Sequence, residues 1–177
     1  VVQQLEIPFE TVDAVGRIAL DFEVPVLLNA APAANIPQSW WEWINMLVVN
    51  EAEASALAGC EIKNAQDAEI AAQQLRKHCR SVLITLGENG VLLSNAEGVD
   101  HLQAYRVPVV STLGAGDAFV GVFAACLSIG KSSLSALSFA CVAGGLTCLA
   151  EGAQTSLLSS EEIERNMERL SPPELIE

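Results

Sequence analysis

Apolar residues follow two rhythms along this chain, short unbroken runs and runs spaced three and four apart. Val1-Val2 opens a β-rich stretch that reaches Pro8. Val12, Val15, Ile18, Ala19 and Phe22 then recur at helical spacing, and Val24 to Leu28 is an apolar burst ending at Asn29. An unbroken apolar run of this length is the pattern of a strand buried on both faces, so the opening predicts a β-α-β unit whose first strand enters mid-sheet. A second unit runs from Met46-Leu47-Val48-Val49, through a helix after Asn50 and an alanine-rich helix over about Ala65 to Cys79, to the strand Val82 to Thr85. Alternating strands and helices with apolar strands predict an α/β class: a mostly parallel sheet between two helical layers.

Past Leu86 the rhythm changes. Gly87-Glu88-Asn89-Gly90 carries an Asn-Gly turn signal and Val91-Leu92-Leu93 resumes as a strand, which predicts a hairpin. A short strand is expected near Ala104 to Val107. The glycine turn Gly114-Ala115-Gly116 follows, then two small-residue helices, Asp117 to Ile129 and Ser133 to Ala150. Ser159-Ser160-Glu161-Glu162 opens a last amphipathic helix that Ser171-Pro172-Pro173 stops. With no repeat, low-complexity tract or linker, residues 1–177 are expected to form a single α/β domain.

Composition narrows the function classes. Hydrophobic residues make up 51% and charged residues 18% of the chain, enough apolar surface for a packed core. Nine Lys and Arg against 22 Asp and Glu give a net charge of −13, a field that disfavours nucleic acid and anionic membranes as partners. A polyanion such as ATP would need backbone amides and a metal ion to be held. Cys60, Cys79, Cys126, Cys141 and Cys148 are odd in number and lack C-x-x-C spacing, which points to reduced thiols in the cytoplasm. The start of the chain does not read as a secretory leader. Ser132 to Ala150 is charge-free, but its Ser, Thr and Gly content predicts a buried helix instead of a membrane span.

Candidate chemistry gathers at strand ends and helix starts. In Ser111-Thr112-Leu113-Gly114-Ala115-Gly116-Asp117 a glycine turn runs into a helix, whose first-turn amides form an anion site. A carboxylate at Asp117 would repel that anion unless it has a chemical task. The task that fits is general base toward a hydroxyl attacking a phosphoryl group; the competing reading is a helix-start Asp. Asn50-Glu51-Ala52-Glu53 is either a capping box or a pair facing phosphates and Mg²⁺. Thr85 to Gly90 is either a hairpin turn or the flank of a nucleotide. Ala125 to Ser132 imitates a P-loop, but its apolar middle belongs inside a helix, where no phosphate cradle forms. His78 and His101 read as solvated surface positions.

Six segments in order, Gln4-Leu5-Glu6-Ile7-Pro8, Asn29-Ala30-Ala31-Pro32-Ala33, Asn50 to Glu53, Thr85 to Gly90, Gly114 to Phe119 and Gly152-Ala153-Gln154-Thr155-Ser156, resemble the ribokinase branch of the PfkB carbohydrate kinase family. The resemblance covers nearly all of the chain and the C-terminal part of a complete member, leaving out the segment with most sugar contacts and the small β-sheet lid. It implies a three-layer αβα fold and transfer of the γ-phosphoryl group of ATP to a primary hydroxyl of a pentose, D-ribose first. Asp117 would be the base, Gly114, Ala115 and Gly116 the anion hole, and Glu6 the sugar contact. Asn50, Thr85, Leu86, Gly87, Glu88, Asn89, Gly90 and Gly116 would meet the nucleotide, and Glu53 would organise Mg²⁺ through water. Cys141 falls where a side chain flanks adenine, with ordinary burial an equal account.

The resemblance also implies a K⁺ site, from Ser111, from the carbonyls of Leu113, Thr147, Ala150 and Gly152, and from Ser156. Ser111 stands where the family has an Asp, so potassium activation is expected to be weak. Self-association through an open edge near Val1 to Leu5 is expected as well. A different class remains open, a truncated, non-catalytic nucleotide-binding or assembly module of the same fold, and the isolated 177-residue chain is expected to be inactive or weakly active.

Overall fold

In the computed structural model, residues 1–152, 154, 156–169 and 174–175 are described. The strands lie side by side in chain order, and the chain divides into two units that are taken separately below.

The first unit comprises residues 1–86 and 92–100. Its strands β1 (Val2–Gln3), β2 (Val26–Asn29), β3 (Ile44–Asn50) and β4 (Ser81–Thr85) are parallel neighbours, with Gln3 beside Leu28, Asn29 beside Val48 and Asn50 beside Thr85. β1 ends the sheet order, at the edge expected near Val1 to Leu5. The β-rich opening stretch contributes only two residues to it. Helices α1 (Phe9–Asp21), α2 (Glu51–Ala58) and α3 (Ala65–Leu75) connect the strands. Leu28, Leu47, Val82, Ile84, Ala54 and Ala71 meet in one apolar core, whose continuity explains why these strands carry no polar alternation.

Two details depart from the periodicity. α1 buries Val12, Gly16 and Ala19, while Ile18 is 58% and Phe22 75% exposed. The cause is Gly16: a Cβ built there would lie 2.4 Å from the Trp43 ring, so the helix is seated glycine-first on a fully buried indole. α3 stops at Leu75 because Lys77 and His78 donate to carbonyls three residues back, at 3.3 and 3.0 Å, which tightens the last turn out of the α-helix.

Residues 92–100 of this unit carry most of a hairpin. β5 (Val91–Asn95) and β6 (Gly98–Leu102) are joined by two residues, which obliges them to run antiparallel, and the sheet is therefore mixed. Asn95 Oδ1 accepts from the amides of Glu97 and Gly98 at 2.7 and 3.2 Å and fixes the turn. The strand expected over Ala104 to Val107 does not form; the strand that follows β5 is Gly98–Leu102.

The second unit comprises residues 87–91 and 101–175. Its main elements are α4 (Ala115–Ser128), α5 (Ser133–Thr147) and α6 (Ser160–Asn166), followed by a 3₁₀ turn over Met167–Arg169 and the two-residue strand β7 (Glu174–Leu175). Ala125 to Ser128 is the last turn of α4 and a left-handed Gly130 (φ 82°) follows it, so the P-loop imitation is a helix end and its stop. α5 starts on a Ser132 cap, whose Oγ accepts from Ser135 N, and ends three residues short of the expected Ala150. Two neighbouring glycines let α5 pack closely. A Cβ on Gly144 would sit 3.3 Å from the carbonyl oxygen of Ala115, and one on Gly145 would sit 2.7 Å from that of Tyr105. Tyr105, Val142, Ala143, Leu146 and Ile163 form the core beneath, and the Tyr105 hydroxyl donates to Asn166 Oδ1 at 3.0 Å. Among the described residues no helix is long and apolar enough to cross a membrane. The Ser171-Pro172-Pro173 stop lies outside the described residues.

Candidate active site

In the second unit the chain enters α4 through Gly114, which takes φ +79°, a left-handed conformation that suits glycine. Asp117 then falls in the first helical turn and is exposed. The amide of Ala115 donates to Thr112 O at 3.2 Å and that of Ala118 to Gly114 O at 2.9 Å. Ala115 thus spends its N–H on the turn. Gly116 is different: a Cβ built on it meets nothing within 4 Å, so an anion can come close to the backbone there.

Around this turn the expected monovalent-cation residues are partly gathered. Val110 and Ser111 donate to Cys148 O at 2.8 and 3.3 Å, which ties the Ser111 segment to the end of α5 beside Thr147. The Ser111 hydroxyl accepts from Leu113 N at 3.2 Å, so this side chain is occupied locally. Thr147 is fully buried with its hydroxyl donating to Ala143 O at 2.9 Å, and the Ser156 hydroxyl donates to Gly152 O. Ala150 lies in the bend after α5; Ala153 and Thr155 of the same segment lie outside the described residues. Cys141 is 7% exposed and burial pushes its thiol up to about 12, so it is a neutral core group.

In the first unit the capping box of α2 is complete. Asn50 N donates to Glu53 Oε2 at 2.8 Å and Glu53 N to Asn50 Oδ1 at 2.8 Å. Glu53 is only 5% exposed, and desolvation raises its carboxyl above the ordinary range against the opposing pull of the Asn50 bonds. Asn50 itself is exposed and shares its register position with Thr85, whose hydroxyl lies 3.5 Å from Val49 O. Among the described residues no three His, Cys, Asp or Glu side chains cluster to hold a metal directly. One carboxylate acting through water, as Mg²⁺ accepts, is compatible with Glu53. Glu6 is exposed beyond β1, next to Leu5, whose amide donates to Ala31 O at 2.9 Å.

Leu86 is buried, Gly87, Glu88 and Asn89 are exposed, and Gly90 is buried. His101, which the sequence left as a surface residue, has its Nε2 2.8 Å from Asn89 O. His78 stacks obliquely on Trp41 with ring centroids 5.1 Å apart. No sequence motif announces the His101 contact, because it depends on how β6 runs back along the turn.

Residues 4–160 match the family described as pfkB family carbohydrate kinase. The chain belongs to that family. Among its PfkB relatives, the ribokinase of Staphylococcus aureus is 35% identical over 165 residues, covering 92% of this chain and 54% of its own. The chain spans about half the length of the curated relatives it matches. A ribokinase from Thermotoga maritima superposes with a TM-score of 0.84 at 33% identity, covering 94% of this chain and 56% of that one. Arabidopsis thaliana ribokinase, solved with ribose and ATP, gives 0.89 at 28% identity, with 94% and 55% covered. The ribokinase-like α/β fold, a mixed sheet flanked by helices, is therefore this chain's fold.

Proposed function

We propose that the chain carries the nucleotide-binding and proton-accepting part of an ATP-dependent pentose kinase of ribokinase type, with D-ribose the first substrate to test. The observation that carries this reading is the start of α4, where a left-handed Gly114, an open Gly116 and an exposed first-turn Asp117 occur together. MgATP, when bound, supplies the phosphoryl group. Asp117 accepts the proton of the sugar hydroxyl, and the amide of Gly116 faces the charge that develops on the phosphoryl oxygens. Asn50 and Thr85 offer polar groups to the phosphates, Glu53 orders water around Mg²⁺, and Thr85 to Gly90 flanks the nucleotide. Glu6 contributes the one sugar contact assigned to this chain. K⁺ at the Ser111 to Ser156 segment is a weak activator in this reading. The field of −13 disfavours nucleic acid and anionic lipid, and the five thiols without a disulfide framework favour the cytoplasm.

The second reading is a non-catalytic nucleotide-binding or assembly module of the same fold. Calorimetric titration with MgATP followed by a ribose phosphorylation assay on the 177-residue chain tests both. Turnover removes the module reading, no binding at millimolar nucleotide removes both, and after binding without turnover, which each reading allows, Asp117→Asn in a form of the protein that phosphorylates ribose decides.

A further inference from the structure

The turn Gly87 to Gly90 is pinned through a single peptide group. The Asn89 carbonyl lies 2.8 Å from His101 Nε2, and the amide on the other side of that peptide, Gly90 N, donates to Gly87 O at 3.2 Å. A carbonyl oxygen only accepts, so Nε2 carries the proton. Gly90 has φ +94°, and a Cβ placed on it would fall 2.0 Å from the carbonyl oxygen of Leu102 and 2.8 Å from Ala104 N. Two independent contacts thus seat the turn on the segment His101 to Ala104. One is a side-chain hydrogen bond and the other a backbone approach that only glycine permits.

We propose that His101 is a positioning residue for the nucleotide-flanking turn, an inference that rests on the nucleotide reading of Thr85 to Gly90. With the Asn89–Gly90 peptide held at both ends it cannot rotate, and the exposed backbone of Gly87 and Glu88 is presented in one conformation before any ligand arrives. Preorganisation of this kind raises affinity by lowering the ordering cost of binding. His101 touches no reacting atom in this account.

The test compares wild type, His101→Ala and His101→Gln, the last keeping a donor near the Nε2 position. In the ligand-free chain, hydrogen exchange of the Gly90 amide should accelerate roughly two- to tenfold in the Ala variant, the equivalent of one ordinary hydrogen bond, and return toward wild type in the Gln variant. The Kd for MgATP should rise by a similar factor in Ala and recover in Gln, with unchanged thermal midpoints. Unchanged Gly90 exchange overturns the clamp. Faster exchange with an unchanged Kd overturns its link to binding. Failure of the wild type to bind MgATP overturns the nucleotide reading, while the exchange comparison still decides whether His101 holds the turn. Should the Ala variant not fold, His101→Asn, too short to reach Asn89, takes its place.

Discussion

Asn50 and Thr85 are register partners at the carboxyl ends of adjacent parallel strands, β3 and β4. Parallel pairing puts the same end of each strand on one edge, and ligands of open α/β sheets bind at that edge. The Thr85 hydroxyl has a long contact to Val49 O at 3.5 Å, so removing it costs little structure. Thr85→Val should keep the urea midpoint of the wild type while weakening MgATP binding in calorimetry. An unchanged Kd would mean that this hydroxyl does not meet the nucleotide.

Much of the first unit was legible because its strands are buried on both faces: Val26 to Asn29, Ile44 to Asn50 and Ser81 to Thr85 announce themselves as apolar runs. The buried face of α1 is not legible in the apolar spacing because a glycine looks neutral in a hydrophobic pattern, and only the Trp43 ring shows why Gly16 is a buried position. The strand placed at Ala104 to Val107 was shifted because Asn95-Ala96-Glu97-Gly98 carries a weaker turn signal than Asn89-Gly90, yet its side-chain bonds set the hairpin. In the candidate site, the glycine turn before Asp117 and the Asn50 to Glu53 box were readable as local motifs. His101 was not, since its partner lies twelve residues away across a strand.

Asp117→Asn should lower turnover by about 10²–10⁴-fold in any form of the protein that phosphorylates ribose, with nucleotide affinity equal or higher. As a first-turn acid, Asp117 also favours the helix dipole, so a stability loss of about 0.3–1 kcal/mol should accompany the change. Wild-type kcat in the Asn variant would reduce Asp117 to that helical role.

Glu53→Gln keeps an oxygen that can accept from Asn50 N, so the α2 cap should survive. The folded-state carboxyl titrates above its unfolded value because burial disfavours its charge. The sign follows: Glu53 is penalised at neutral pH, and the wild type recovers stability as pH falls through the raised pKa toward the ordinary range near about 4.3, a recovery the Gln variant lacks. Urea denaturation of both proteins at neutral and mildly acidic pH reads this difference. A raised Mg²⁺ requirement for nucleotide binding in the variant would add the metal role, and an unchanged requirement would leave only the cap.

Gly16→Ala improves helix propensity by up to about 1 kcal/mol, yet it should destabilise the chain. The new methyl meets the Trp43 ring at 2.4 Å, and overpacking of this kind typically costs about 1–3 kcal/mol. A drop in the urea midpoint, with blunted tryptophan emission changes on unfolding, is the expected result; greater stability would show that the ring yields.

Exchange of Na⁺ for K⁺ should change nucleotide binding or turnover little in the wild type, because Ser111 offers a neutral oxygen already engaged by Leu113 N. Ser111→Asp should introduce K⁺ dependence. A strong K⁺ response of the unmodified chain would show that neutral oxygens suffice.

Gly144 and Gly145 are neighbours in sequence but report to different tenants. The first abuts the carbonyl of Ala115 and the Phe119 side chain, at the mouth of the helix that presents Asp117; the second abuts Tyr105, in the core beneath. One added methyl at either site therefore pushes on a different part of the same unit. At 144 it would nudge α4 by tenths of an ångström, an error in aim, and at 145 it would wedge the core, an error in assembly. The glycine pair separates alignment from integrity within two adjacent codons, so a pair of single-methyl variants could tell one kind of damage from the other.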